Sequence, residues 1–121
     1  MVSAQSYEQI RGSGTTVGTT PLILISWPIP SGRSVSAEVI ATGRDTTSGD
    51  TVSRKVMTSA KNVTGVAALI GALATLLSSS DLALATASVA VSGSGGSLVV
   101  TVTGVLTKTI DWEVVARVQI C

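Results

Sequence analysis

Three features of this sequence point to an all-β protein, an antiparallel β-sandwich or barrel of about six to eight short strands. Apolar residues make up 45% of the chain while aromatic residues make up 2%, so the apolar content is aliphatic. Much of it is Val and Ile, joined by many Thr; branching at Cβ restricts χ1 and favours the pleated sheet. Several stretches alternate apolar and polar residues with period two, the pattern of a strand with one buried face. Between them lie clusters of Gly, Ser and Pro that punctuate the chain at roughly 8–12-residue intervals. At 121 residues the chain fits one domain.

Residues 1–20 are polar and rich in Ser, Thr and Gly, ending "GSGTTVGTTP". They read as an extended N-terminal arm preceding a sandwich domain over residues 21–121. Tyr7, Ile10 and Val17 are its large side chains and the expected partner contacts, since an extended arm can donate a strand to an exposed sheet edge. Deleting the arm is expected to leave a folded domain. Its glycines lack the spacing and the preceding strand of a dinucleotide fingerprint.

"LILISWPIPSG" is a short strand stopped by Pro28 and Pro30, which cannot donate to a ladder. "RSVSAEVIATGR" places Val35, Ala37, Val39 and Ala41 on one face. "RDTTSGD" is a hairpin loop leading to the strand "TVSRKVMTSAKNV". "VAALIGALATLL" is ambiguous: Ala and Leu favour helix, but Gly71 interrupts the run and no polar stripe of period 3.6 crosses it. In "SVAVSGSGGSLVVTVTG" two alternating strands flank a glycine turn, and Leu98, Val100 and Val102 share a face. The last strand, "IDWEVVARVQI", aligns Ile110, Trp112, Val114, Ala116, Val118 and Ile120. Trp112, Ile110, Val114, Val118, Val100 and Val102 are therefore the expected core, with Trp112 as the largest block among small aliphatic side chains. Trp27, beside the prolines, fits core, interface or surface.

Charged residues are only 12% of the chain, about half the average for a globular domain, and the net charge is +1. So little charge on so apolar a chain suggests that part of its surface is covered by other subunits. The basic residues are scattered and aromatics are scarce, which excludes a nucleic-acid interface. The longest apolar run falls short of the roughly 20 residues that span a bilayer, so no membrane is expected. The N-terminus has no apolar stretch of the kind a secretory signal carries.

No histidine is present and Cys121 is the only cysteine, so the usual bases, metal ligands and activated nucleophiles are missing. Asp111 and Glu113 stand on one strand face about 6–7 Å apart, a separation resembling that of glycosidase carboxylates. Exposed charges alternating along a strand give that spacing by default. Asp45 and Asp50 lie in a loop that matches no calcium-binding pattern. "NVT" at residues 62–64 has the form of a glycosylation sequon and reads as accidental. No catalytic residue, cofactor or metal is expected, and the chain reads as a non-enzyme.

The order of "PIPSG", "VSAEVIATGRD", "KNVTGVAALIG", "SVAVSGSGGSLVVTVTG" and "TIDWEVVARVQI" resembles a small β-rich structural domain of tailed bacteriophages. Val-rich residues ending in "VTG" at Gly104, then a turn and a terminal strand that starts Ile110-Asp111-Trp112, carry the resemblance. It implies a β-sandwich virion component and favours strands over helix at residues 66–77. It further implies a capsid decoration (cement) protein on the capsid surface. That protein would be a homotrimer, with copies of itself and the major capsid protein as partners. The alternative it allows is a tail or tail-fibre component, with a host-surface glycan-binding role.

Overall fold

The computed structural model describes residues 6–121 of the chain, and side chains from residue 8 onward. It is all-β. The strands are β1 (Ser6–Val17), β2 (Leu22–Pro28), β3 (Ser34–Asp45), β4 (Thr51–Val63), β5 (Val66–Ser80), β6 (Ser88–Ser94), β7 (Ser97–Thr103) and β8 (Thr109–Ile120). One 3-10 turn, Leu82–Leu84, links β5 to β6. Two antiparallel sheets form the sandwich, one in the order β1-β8-β3-β4-β5 and the other β2-β7-β6.

The strands of the larger sheet are not short. They run 12 to 15 residues each, well beyond the usual five or six or so. All three prolines fall outside this sheet, at Pro21, Pro28 and Pro30, so nothing inside its strands removes a ladder donor. Where β4 reverses into β5, Thr64 and Gly65 both take positive φ, 53° and 89°. That is the backbone of a type I′ turn, whose twist matches the flanking strands. It sets Val63 opposite Val66.

The alternation read from the sequence is the alternation of burial. Val35, Ala37, Val39 and Ala41 of β3 and Ile110, Trp112, Val114, Ala116 and Val118 of β8 are buried, facing Ile25, Val91, Leu98, Val100 and Val102 of the smaller sheet. Leu84 of the 3-10 turn is fully buried against them. Residues 66–77, ambiguous between helix and strand, lie within the single long strand β5.

Ser6–Val17 belongs to the sandwich as a strand rather than standing beside it as an arm. β1 pairs with β8 along its whole length, from Ser6 opposite Ile120 to Val17 opposite Thr109. Its glycines explain how. A Cβ on Gly12 would sit 2.2 Å from the carbonyl oxygen of Leu24, so only glycine lets β1 and β2 close the edge of the sandwich there. Gly93 does the same at the opposite edge, where a Cβ would lie 2.3 Å from the Ala67 carbonyl of β5.

Candidate interaction site

Trp112 belongs to the core. Its direct neighbours across the sheet are Gly14 of β1 and Gly43 of β3. A Cβ on Gly14 would sit 2.8 Å from the side chains of Leu22 and Leu24, whereas the missing Cβ of Gly43 leaves room for the indole. A Cβ on Gly43 would come within 3.0 Å of the Trp112 ring and 2.8 Å of Ile110. The indole N–H donates to the hydroxyl of Thr16 at 2.9 Å, a buried bond. Both residues are only 2% exposed. Trp27 is half-buried, and its indole N–H donates to the carboxylate of Glu8 at 2.8 Å. Both tryptophans are thus engaged within the fold.

The acidic pairs are engaged too. The Thr15 hydroxyl donates to Asp111 at 2.7 Å, and Arg11 pairs with Glu113 at 3.3 Å. Each carboxylate has its own partner on β1, which is the arrangement of a solvated sheet face and not of an acid–base pair. Asp45 is buried, with the Thr47 N–H donating to Oδ1 at 2.9 Å. Its Oδ2 accepts no hydrogen bond and lies 3.6 Å from the Lys108 ammonium. The Thr47 N–H holds its pKa below the usual carboxylate value, against the opposing effect of desolvation; Ser48 and Lys108 add to the lowering. Among the described residues no cluster of three metal-ligating side chains occurs. Cys121 is exposed.

Two buried polar side chains escaped sequence reading. The guanidinium of Arg54 donates to the carbonyls of Ser79 and Ala85, both at 3.1 Å, tying β4 to the end of β5 and to the 3-10 turn. The amide of Asn62 donates to the Ile29 carbonyl at 2.7 Å and accepts from the Gly65 N–H at 2.9 Å. Asn62 is 4% exposed, so the sequon does not present its side chain. Only their polarity inside a period-two pattern marked either residue: both occupy inward slots of β4.

Of the three expected arm contacts, Ile10 packs against the core and Val17 is exposed. The side chain of Tyr7 lies outside the described residues. The six expected core residues, Trp112, Ile110, Val114, Val118, Val100 and Val102, are all buried.

β5 is an outer strand of the larger sheet. It carries Val66, Ile70, Leu76 and Leu77 in exposed positions, more large apolar groups than any other strand presents. Two register shifts against β4 produce this. One falls between Ile70 and Ala74, where Gly71 has φ of 78°, and the other skips Leu76. Bulges re-aim side chains, so the apolar run no longer divides into a buried and a polar face. Near its start β5 is joined to the β6–β7 hairpin, the Ala67 N–H donating to the Gly95 carbonyl. Charge is distributed just as unevenly. Every Asp, Glu, Lys and Arg lies on β1, β3, β4, β8 or a connecting loop; β2, β5, β6 and β7 carry none.

Comparison of the fold places it beside phage tailspikes. The chain aligns over 93% of its length with 17% of a tailspike protein, gp49 from Acinetobacter baumannii bacteriophage Fri1, described as a capsular polysaccharide depolymerase; the TM-score is 0.52 and the identity 12%. The fold is similar to one part of that tailspike. The tailspike protein of Acinetobacter baumannii phage AM24 aligns over 94% of this chain and 26% of its own, with a TM-score of 0.45 and 12% identity. The chain thus spans about a sixth of the first and a quarter of the second. No protein-family model and no curated protein matches its sequence.

Proposed function

We propose that the chain is a structural component of a bacteriophage virion and that it belongs to the tail. The observation that carries this reading is the likeness of the whole sandwich to one segment of a tailspike. The site chemistry agrees with a structural role: the acidic side chains Asp45, Asp111 and Glu113 are all bound to neighbours in the fold. The work of the domain is mechanical. It holds a rigid, aliphatic sandwich in place by burying apolar surface that water disfavours, and it catalyses nothing itself. Its partners are then other tail components and copies of itself. The capsid surface, favoured by sequence reading alone, becomes the second choice, because the fold likeness supports the tail. Gold-labelled antibody against the chain, applied to intact particles, should mark the tail in electron micrographs. Label distributed over the head would overturn the reading.

A further inference from the structure

We propose that the end of the sandwich where β3 starts and β4 finishes holds a binding site for a compact, doubly charged oxyanion of the phosphate or sulfate class. A hollow of about 310 Å³ lies there, lined by Arg33 and Lys61 together with Ser31, Ser34, Asn62 and Thr64, and by no Asp or Glu. Two tight turns build it. The Arg33 N–H donates to the Pro30 carbonyl at 3.1 Å, and Gly32 takes φ of 75°, as the third residue of a type II turn does. The other turn is the one at Thr64 and Gly65 that reverses β4 into β5. Asn62 ties the two together. Its carbonyl accepts from the Gly32 N–H at 2.8 Å and its N–H donates to the Arg33 carbonyl at 3.0 Å. Its buried amide side chain holds Ile29 on one side and Gly65 on the other. The backbone that carries Arg33 and Lys61 is therefore fixed before any ligand arrives.

The charge around these two side chains selects the ligand. Every other Lys and Arg has an acidic neighbour or a set of carbonyls. Arg11 pairs with Glu113, Lys55 with Glu38 and Lys108 with Asp45. Arg54 donates to carbonyls. Arg44 and Arg117 stand directly across the sheet from Asp111 and Glu38. Lys61 has Ser34 opposite it on one side and Ala68 on the other, and Arg33 lies in the turn beside Asn62. Two cations brought to one hollow without an acid favour an anion and disfavour a cation. A guanidinium presents a fork of donors that matches two oxygens of an oxyanion, and an ammonium adds a point charge. The hydroxyls of Ser31, Ser34 and Thr64 are further donors. Two positive charges attract a dianion about twice as strongly as a single carboxylate at the same distance. Both cationic side chains are exposed, so the anion can be a free ion or a group on a larger molecule. This inference goes beyond the assignment to the tail and does not depend on it.

Titration of the full chain with inorganic phosphate at constant ionic strength, followed by amide chemical shifts, tests it. At about pH 8 the phosphate is doubly charged. The shifts should saturate at millimolar phosphate and concentrate at residues 31–34 and 61–65. Arg33→Gln/Lys61→Gln should abolish them, with the circular dichroism spectrum unchanged. Should that pair disturb the turns, Lys61→Gln alone should weaken the binding several-fold. Arg44→Gln/Arg117→Gln removes the same charge from another part of the surface and should leave the binding as it is. Glycerol phosphate, run beside inorganic phosphate, separates a group on a larger molecule from a free ion, and saturable binding of either supports the site. Shifts that never saturate, that appear equally around Arg44 and Arg117, or that survive Arg33→Gln/Lys61→Gln overturn it. Acetate that binds as tightly as phosphate overturns the preference for a dianion. None of these results bears on where the gold label falls.

Discussion

Trp112 owes its place to a glycine and a threonine. Gly43 leaves the space, and Thr16 accepts the indole N–H. Thr16→Val keeps the shape and removes the acceptor, leaving a buried donor unpaired. It should cost about 1–3 kcal/mol, read from the urea midpoint. Gly43→Ala pushes a methyl into Ile110, Trp112 and Val52 at 2.8–3.0 Å and should cost a similar amount, about 1–3 kcal/mol, by overpacking. Asp45 adds a pH dependence. Its folded pKa is depressed, chiefly by the Thr47 N–H. Such a group contributes stability that is full above its unfolded value, near 3.9, and is lost as pH falls through the lower folded value. Asp45→Asn should therefore be less stable than wild type at neutral pH, with the gap closing in acid. A gap that stays constant between about pH 6 and pH 2 would contradict this role for the carboxylate.

β1 and β5 are the outer strands of one sheet and behave oppositely. β1 is polar, yet it is held by β8 along its length and covers Trp112 through Thr16. Removing residues 1–17 should expose that side of the core and lower the thermal midpoint sharply, or abolish folding. A truncated chain as stable as the full one would favour an appended arm. The central strands were readable because period two sorts their residues cleanly: Val35 to Ala41 and Ile110 to Val118 declared their buried face. β1 was not readable in the same way. Its inward slots hold Ile10, Gly12, Gly14 and Thr16, only one of them a large apolar residue, and the glycines that permit close approach to β2 look like a linker. β5 was ambiguous because two bulges break its alternation, and its Ala and Leu content favours helix in isolation. Pairing with β4 through a tight turn overrides that preference. Arg54 and Asn62 were invisible as staples, since their carbonyl partners lie far away in sequence.

Taken whole, the molecule has a charged side and an uncharged one. The charged side, with Arg11 paired to Glu113 and Lys55 to Glu38, is an ordinary solvated sheet face. Such exposed pairs add roughly 0–1 kcal/mol each, so this face is there for solubility more than for strength. The uncharged side joins β5 to the smaller sheet, whose strands carry no Asp, Glu, Lys or Arg. The low charge of the sequence raised the expectation of a covered surface, and the exposed aliphatic groups of the fold are most numerous on β5. The sequence resemblance points to the shell of a phage virion, whereas the proposed assignment is to the tail. The copy number of the chain in purified particles decides between them, measured by quantitative mass spectrometry against the major capsid protein. A tail component should be present at a small fraction of the capsid protein. An abundance comparable to it, or absence from the particle, would contradict the assignment to the tail.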